Sequence, residues 1–134
     1  MGAECFTWRL NGIGVDVSIT GQVRPLYSVS DTERAWAAGY FDGEGCVTVQ
    51  GRSVRVQIGC TERHLLVRFQ RAVGGIGRIY GPYYPFGNRQ PTFHYRAGAN
   101  ALRHIAPLLW PYLDSTKRAK MAAGLVAMHS LTQP

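Results

Sequence analysis

Asp42 and Glu44 stand one residue apart, each followed by a glycine, inside the stretch "AWAAGYFDGEGCVTV" that runs from 35 to 49. The residues before them read as a helix, from about Asp31 to about Asp42. Both acids therefore fall at its partially negative C-terminal pole, where carboxylates are disfavoured unless something compensates them. Asp42, within the last turn, is placed to accept backbone N–H groups at the junction. Glu44 is placed to meet a cation, and a hard divalent ion such as Mg²⁺, held by one or two carboxylates together with phosphate oxygens and water, matches that chemistry.

The helix also carries a bare ridge. Ala35, Gly39 and Gly43 recur every four residues, with Ala38 and Asp42 beside them, and such a stripe lets another backbone come close. The chain has one such helix, so its natural partner is the same helix in a second copy about a two-fold axis. Trp36, Tyr40 and Phe41 are then left to pack within their own subunit. A homodimer of this kind gathers two Glu44 carboxylates and two helix poles around the ion. The competing reading is that the small residues merely fit a crowded internal helix.

The elements that must hold these acids are legible on either side. Ser30 and Glu33 have the spacing of a capping box at the helix start. "CVTVQGRSVRVQIG" puts Val47, Val49, Val54, Val56 and Ile58 on one face and Thr48, Gln50, Arg55 and Gln57 on the other, with a turn over 51–53. A second helix follows in "TERHLLVRFQRAVGG", stopped by its glycine pair. A second hairpin joins "GRIYGPYY" to "PTFHYRAG" through "PFGNRQ", with Phe93 and Tyr95 inward and Arg78, Tyr80, Thr92, His94 and Arg96 outward. A third helix, from about Asn100, must be kinked or divided by Pro107. A last helix is capped by Asp114 or Ser115. The order helix, hairpin, helix, hairpin, helix, helix is α+β with one antiparallel sheet, αββαββαα from residue 30 onward. Residues 1–29 alternate Val15, Val17 and Ile19 as a strand would, but are interrupted by glycines. They are an added edge strand, a disordered leader, or sequence preceding the domain at 30–134.

The composition suits a single domain that buries its own core: 134 residues, 46% of them hydrophobic. The formal charge of +7 is uneven. Residues 51–134 hold twelve Lys or Arg against Glu62 and Asp114, a balance of +10, and thirteen of the fifteen basic residues are Arg. The guanidinium fork suits phosphate oxygens and guanine edges, so the expected partner is nucleic acid. The three cysteines, at 5, 46 and 60, form neither a disulfide framework nor a zinc knuckle, and no stretch has the length of a membrane span, so an intracellular protein is expected.

"AAGYFDGEG", residues 37–45, resembles without a gap the motif that names the LAGLIDADG homing endonucleases. Ala38, Gly39, Asp42 and Gly45 are the motif's own letters and Glu44 stands for its last Asp. The regions "RFQRAVGGIGRIYGPYY" and "LLWPYLDSTKRA" are similar to single-motif members as well. The resemblance implies a homodimer whose two four-stranded saddle sheets, with helices on one face, sit over double-stranded DNA. Glu44 of each subunit would hold divalent metal at the minor groove, so that both strands are cut. It implies a DNA face of Thr48, Gln50, Arg52, Arg55, Gln57, Arg78, Tyr80, His94 and Arg96, and a basic catalytic residue at Lys117, or Arg118 on a one-residue slip. Where many members carry a Gln at the end of the second strand this chain has Cys60 or Thr61, with Gln57 as the substitute if the register shifts. The alternatives are a non-cleaving DNA-binding regulator, an intron RNA maturase, or an interaction domain that dimerises without touching nucleic acid.

Overall fold

The computed structural model describes residues 4–10, 13–19, 29–51, 53–87 and 89–132, with side chains from 29 to 128 of these. The described elements are β1 (Glu4–Leu10), β2 (Ile13–Ile19), α1 (Asp31–Glu44), β3 (Gly45–Gln50), β4 (Ser53–Cys60), α2 (Arg63–Ala72), β5 (Arg78–Tyr83), β6 (Thr92–Ala97), α3 (Ala99–Leu109) and α4 (Ser115–Thr132). The fold is α+β. β3 to β6 form an antiparallel four-stranded saddle in the order β3-β4-β6-β5, and the helices pack on one face. β1 and β2 form a separate two-stranded hairpin rather than an edge of that sheet, and the alternation at Val15, Val17 and Ile19 lies on β2.

α1 starts as its sequence predicts, with the Ser30 hydroxyl accepting the Glu33 N–H at 3.2 Å. The reciprocal half of the capping box is missing, because the Glu33 carboxylate instead accepts two hydrogen bonds from the Arg68 guanidinium at 2.9 and 3.1 Å. That pairing ties α1 to α2, and Arg68 also lies 3.9 Å over the Trp36 ring. The helix runs two residues past its expected end. The Gly45 N–H still reaches the Phe41 carbonyl, so both Asp42 and Glu44 lie in the final turn.

Strand alternation sets the core. Val54, Val56, Ile58 and Tyr95 are buried on the helical face of the sheet against Phe41, Leu66, Phe69, Leu102, Leu109 and Met121. Phe69 meets Tyr95 edge-on at 5.0 Å and Phe41 at 6.0 Å, arrangements favoured between aromatic quadrupoles. The Tyr95 hydroxyl, deep in this layer, donates to the Ile76 carbonyl at 2.6 Å, which removes the cost of burying it. Gly124 lets α4 settle on the layer, since a Cβ there would lie 2.9 Å from Leu102 and 3.2 Å from Val54.

Two expectations are corrected. Ser53 is the first residue of β4, opposite Gln50, and not part of the turn. Pro107 does not divide its helix, which continues to Leu109 and passes into a 3₁₀ turn over Trp110–Tyr112. So close to the end, the missing N–H forfeits only the bond toward Arg103, and the Trp110 N–H closes the last turn on Ala106.

Candidate functional site

Glu44 is solvent-exposed at the end of α1 and lines a cleft of about 420 Å³ with Tyr40, Gly59, Cys60, Thr61, Leu65 and Thr92. Four elements converge there: the final turn of α1, the end of β4, the start of α2 and the start of β6. Tyr40 precedes Glu44 by four residues and so shares its helix face. Its hydroxyl has no well-formed hydrogen bond, although it faces the Cys60 thiol. Burial first, then Cys60, then the charges of Glu44 and Glu62, raise its pKa and keep it a neutral phenol. Cys60 and Thr61 both reach the cleft, as the strand count implies. Gln57 does not line it: it pairs across the sheet with Arg96, and its amide lies 3.3 Å from His94 Nδ1.

Asp42 points elsewhere. Its two carboxylate oxygens each lie 3.3 Å from the Asp114 N–H, which donates to them. Asp114 in turn caps α4, accepting the Lys117 N–H on its carboxylate at 2.9 Å and the Arg118 N–H on its carbonyl at 3.0 Å. The end of α1 is thereby fastened to the start of α4, whose first turn carries Lys117. Arg118 is committed to closing the preceding turn, donating to the carbonyls of Trp110 and Pro111 at 2.9 and 3.2 Å. Of the two basic candidates, Lys117 is the one whose side chain is not so occupied.

The polar face of the sheet assembles as the alternation requires. Thr48 pairs with Arg55, Gln57 with Arg96, Arg96 with Arg78, and His94 with Tyr80. Thr48, Gln50, Ser53, Arg55 and Gln57 line a groove of about 270 Å³. Arg96 lies 5.3 Å from the Tyr80 ring centroid and His94 5.5 Å from that of Tyr83. Burial, and then the charge of Arg96, lower the His94 pKa. Arg52 lies outside the described residues.

The ridge on α1 is open. A Cβ added at Gly39 or Gly43 would meet nothing within 4 Å, and Ala35 is half-buried. Ala38 is a correction: it has no exposed surface and faces its own core, on the side of α1 occupied by Ala37 and Phe41, so it cannot line a dimer contact. Asp42, also expected at that contact, is engaged by Asp114 instead.

Among the described residues no three His, Cys, Asp or Glu side chains gather around one point. One protomer therefore offers the Glu44 carboxylate with Thr61 lining the same cleft, an oxygen-bearing but incomplete donor set that suits an ion taking the rest of its shell from phosphate, water and a second carboxylate. No helix of the described residues is long and apolar enough to cross a membrane.

A family model described as a LAGLIDADG-like domain matches residues 31–98. Two solved structures of the homing endonuclease I-CvuI are similar. One, in complex with its target in the presence of 2 mM Ca, gives a TM-score of 0.62 at 21% identity over 75% of this chain and 68% of that one. The other, in complex with the I-CreI target in the presence of 2 mM Mg, gives 0.60 at 22% over 75% and 69%. At that identity the likeness establishes the fold. Among curated proteins, the large subunit of ribonucleoside-diphosphate reductase from Invertebrate iridescent virus 6 is 32% identical over 77 residues, which are 57% of this chain and 8% of that protein's length. With the motif at 37–45, its saddle sheet behind it, and the family's domain matched across half its length, this chain belongs to the LAGLIDADG-like family.

Proposed function

We propose that the protein is a homodimeric, divalent-metal-dependent endonuclease that cuts both strands of DNA at a specific site. The observation that carries this reading is the exposure of Glu44 in a cleft at the end of a sheet whose outer face bears Arg55, Arg78 and Arg96. A purely binding surface gains nothing from an acid beside phosphate. Arg and Gln on the strands can read guanine and adenine edges, while the remaining Arg hold the backbone.

In this reading Glu44 of each subunit would hold Mg²⁺, which would supply an acidified water and offset charge on the leaving oxygen. Lys117, at the start of α4, offsets the charge that develops on the phosphate. Asp42 fastens the start of α4 to the end of α1 through Asp114. Tyr40 stays a neutral phenol and adds no charge beside Glu44. The likeness to a short stretch of a much longer reductase subunit supports a domain carried inside a host protein, as an intein would be.

Glu44→Gln removes the anionic ligand at constant shape. It should abolish cleavage while leaving duplex affinity intact, and undiminished cutting would reject Glu44 as the ligand. The thiol of Cys60 in the cleft favours one further reading, binding without cutting, because a thiol orients water poorly. Wild-type protein that binds duplex but fails to cut it with every divalent ion tried would establish that reading.

A further inference from the structure

The connection from β5 to β6 exposes aromatic side chains in a row: Tyr83 is 42% exposed, Tyr84 57% and Phe86 fully. Phe86 sits at φ 56°, ψ 29° in a 3₁₀ turn over Pro85–Gly87, a left-handed conformation that is costly for a bulky side chain. β5 has one residue more than β6 between the Tyr80–His94 and Tyr83–Thr92 pairs, and a bulge of this kind bends a strand and re-aims the residues beyond it.

The direction of this tip is set by its pairing. Thr92, opposite Tyr83, lines the Glu44 cleft, so the tip emerges at the cleft end of the sheet. It continues the polar face, since the Tyr83 ring rests on His94 and Tyr80 takes the charge of Arg96. Arg78 and Arg96 lie on its two strands and Arg89 in the connection itself, with Glu44 in the cleft at its foot. Contiguous exposed rings in a basic field fit a polyanion with flat apolar faces between its charges, which is duplex DNA.

We propose that Tyr84 and Phe86 form a wedge that enters the duplex beside the phosphate served by Glu44 and unstacks a base step there. The site would thus be selected partly by deformability, with pyrimidine–purine steps preferred where no side chain reads a base edge. This rests on the nuclease reading above.

The test uses the full-length Glu44→Gln chain, which does not cut, at saturating concentration on a duplex recovered by binding selection. 2-Aminopurine is placed at each step in turn. Fluorescence should rise several-fold at the one or two steps flanking the cut position. Phe86→Asn, which tolerates positive φ and removes no packing, should abolish that rise and flatten the sequence preference at those steps by roughly tenfold, since unstacking costs a few kcal/mol. Phe86→Trp should retain both. A duplex bound with no brightening at any step, or brightening that survives Phe86→Asn combined with Tyr84→Ser, would overturn the wedge while leaving the nuclease reading intact. Failure to retain any duplex would overturn both. Loss of the dimer in Phe86→Asn would make the tip a protein contact and overturn the wedge.

Discussion

The carboxylate of Asp42 accepts the backbone N–H of Asp114, seventy-two residues later in the chain, with both oxygens at 3.3 Å. Through this contact the helix that ends in Glu44 holds the start of the helix that carries Lys117, and two candidate catalytic groups from opposite ends of the domain acquire one frame. Asp42→Ala leaves that exposed N–H to water in place of its charged acceptor, at a cost of about 0.5–1.5 kcal/mol. The urea midpoint should fall accordingly. If α4 is displaced, cleavage should fall further than stability alone explains. A variant with the wild-type midpoint would show that the contact holds nothing.

Gly39→Leu should leave the protomer folded, because an added side chain meets nothing within it. It should split the homodimer. Sedimentation at micromolar protein should show a monomer with unchanged circular dichroism; a persistent dimer would move the interface off this ridge. By contrast, Gly124→Val pushes into Leu102, Val54 and Val47, and overpacking of this kind costs about 1–3 kcal/mol, read as a lower melting temperature with no change in subunit number.

Acid should weaken the fold through His94. Its pKa is lowered by burial and then by Arg96, so as pH falls through the unfolded value near 6.5 the unfolded chain takes a proton that the folded chain refuses. This share of stability is complete above that pH and is lost as the pH drops toward the lowered folded value. Urea midpoints at pH 7.5 and pH 5 should differ less in His94→Asn than in wild type. An equal difference would show that His94 titrates normally.

Binding should weaken steeply with salt. A sheet face bearing Arg55, Arg78 and Arg96, doubled in a dimer, releases about one counterion per phosphate neutralised, and the slope of log affinity against log salt should be several units. Arg55→Gln should reduce that slope. A flat dependence would remove phosphate from the interface.

Much of this was written in period and position. Alternation assigned Val54, Val56, Ile58 and Tyr95 to the buried face and Thr48, Arg55, Gln57, His94 and Arg96 to the other, because one face is buried and burial fixes register. The pole of α1 made Asp42 a receiver of N–H groups, as found. What stayed hidden depends on distant partners. Glu33 has a local use as half of a capping box, and only the folded chain shows that Arg68 claims it. Ala38 and Gly39 are neighbours in sequence and equally small, yet the turn of the helix sends one to the core and the other to solvent. Tyr40 had a usable signal, four residues before Glu44, but an aromatic on an amphipathic helix reads first as core. The tip at Tyr84 and Phe86 carries prolines that break its alternation, so neither its pairing nor its exposure was legible.

The most direct measurement is to incubate a randomised duplex library with the wild-type protein, with Mg²⁺ and with a chelator, and to sequence the ends produced. A discrete set of double-strand ends around a common, roughly two-fold-symmetric sequence, present with Mg²⁺ and absent with chelator, is the expected result. Ends that are sequence-independent, or that persist without divalent ion, would contradict a site-specific cut made by paired Glu44 carboxylates.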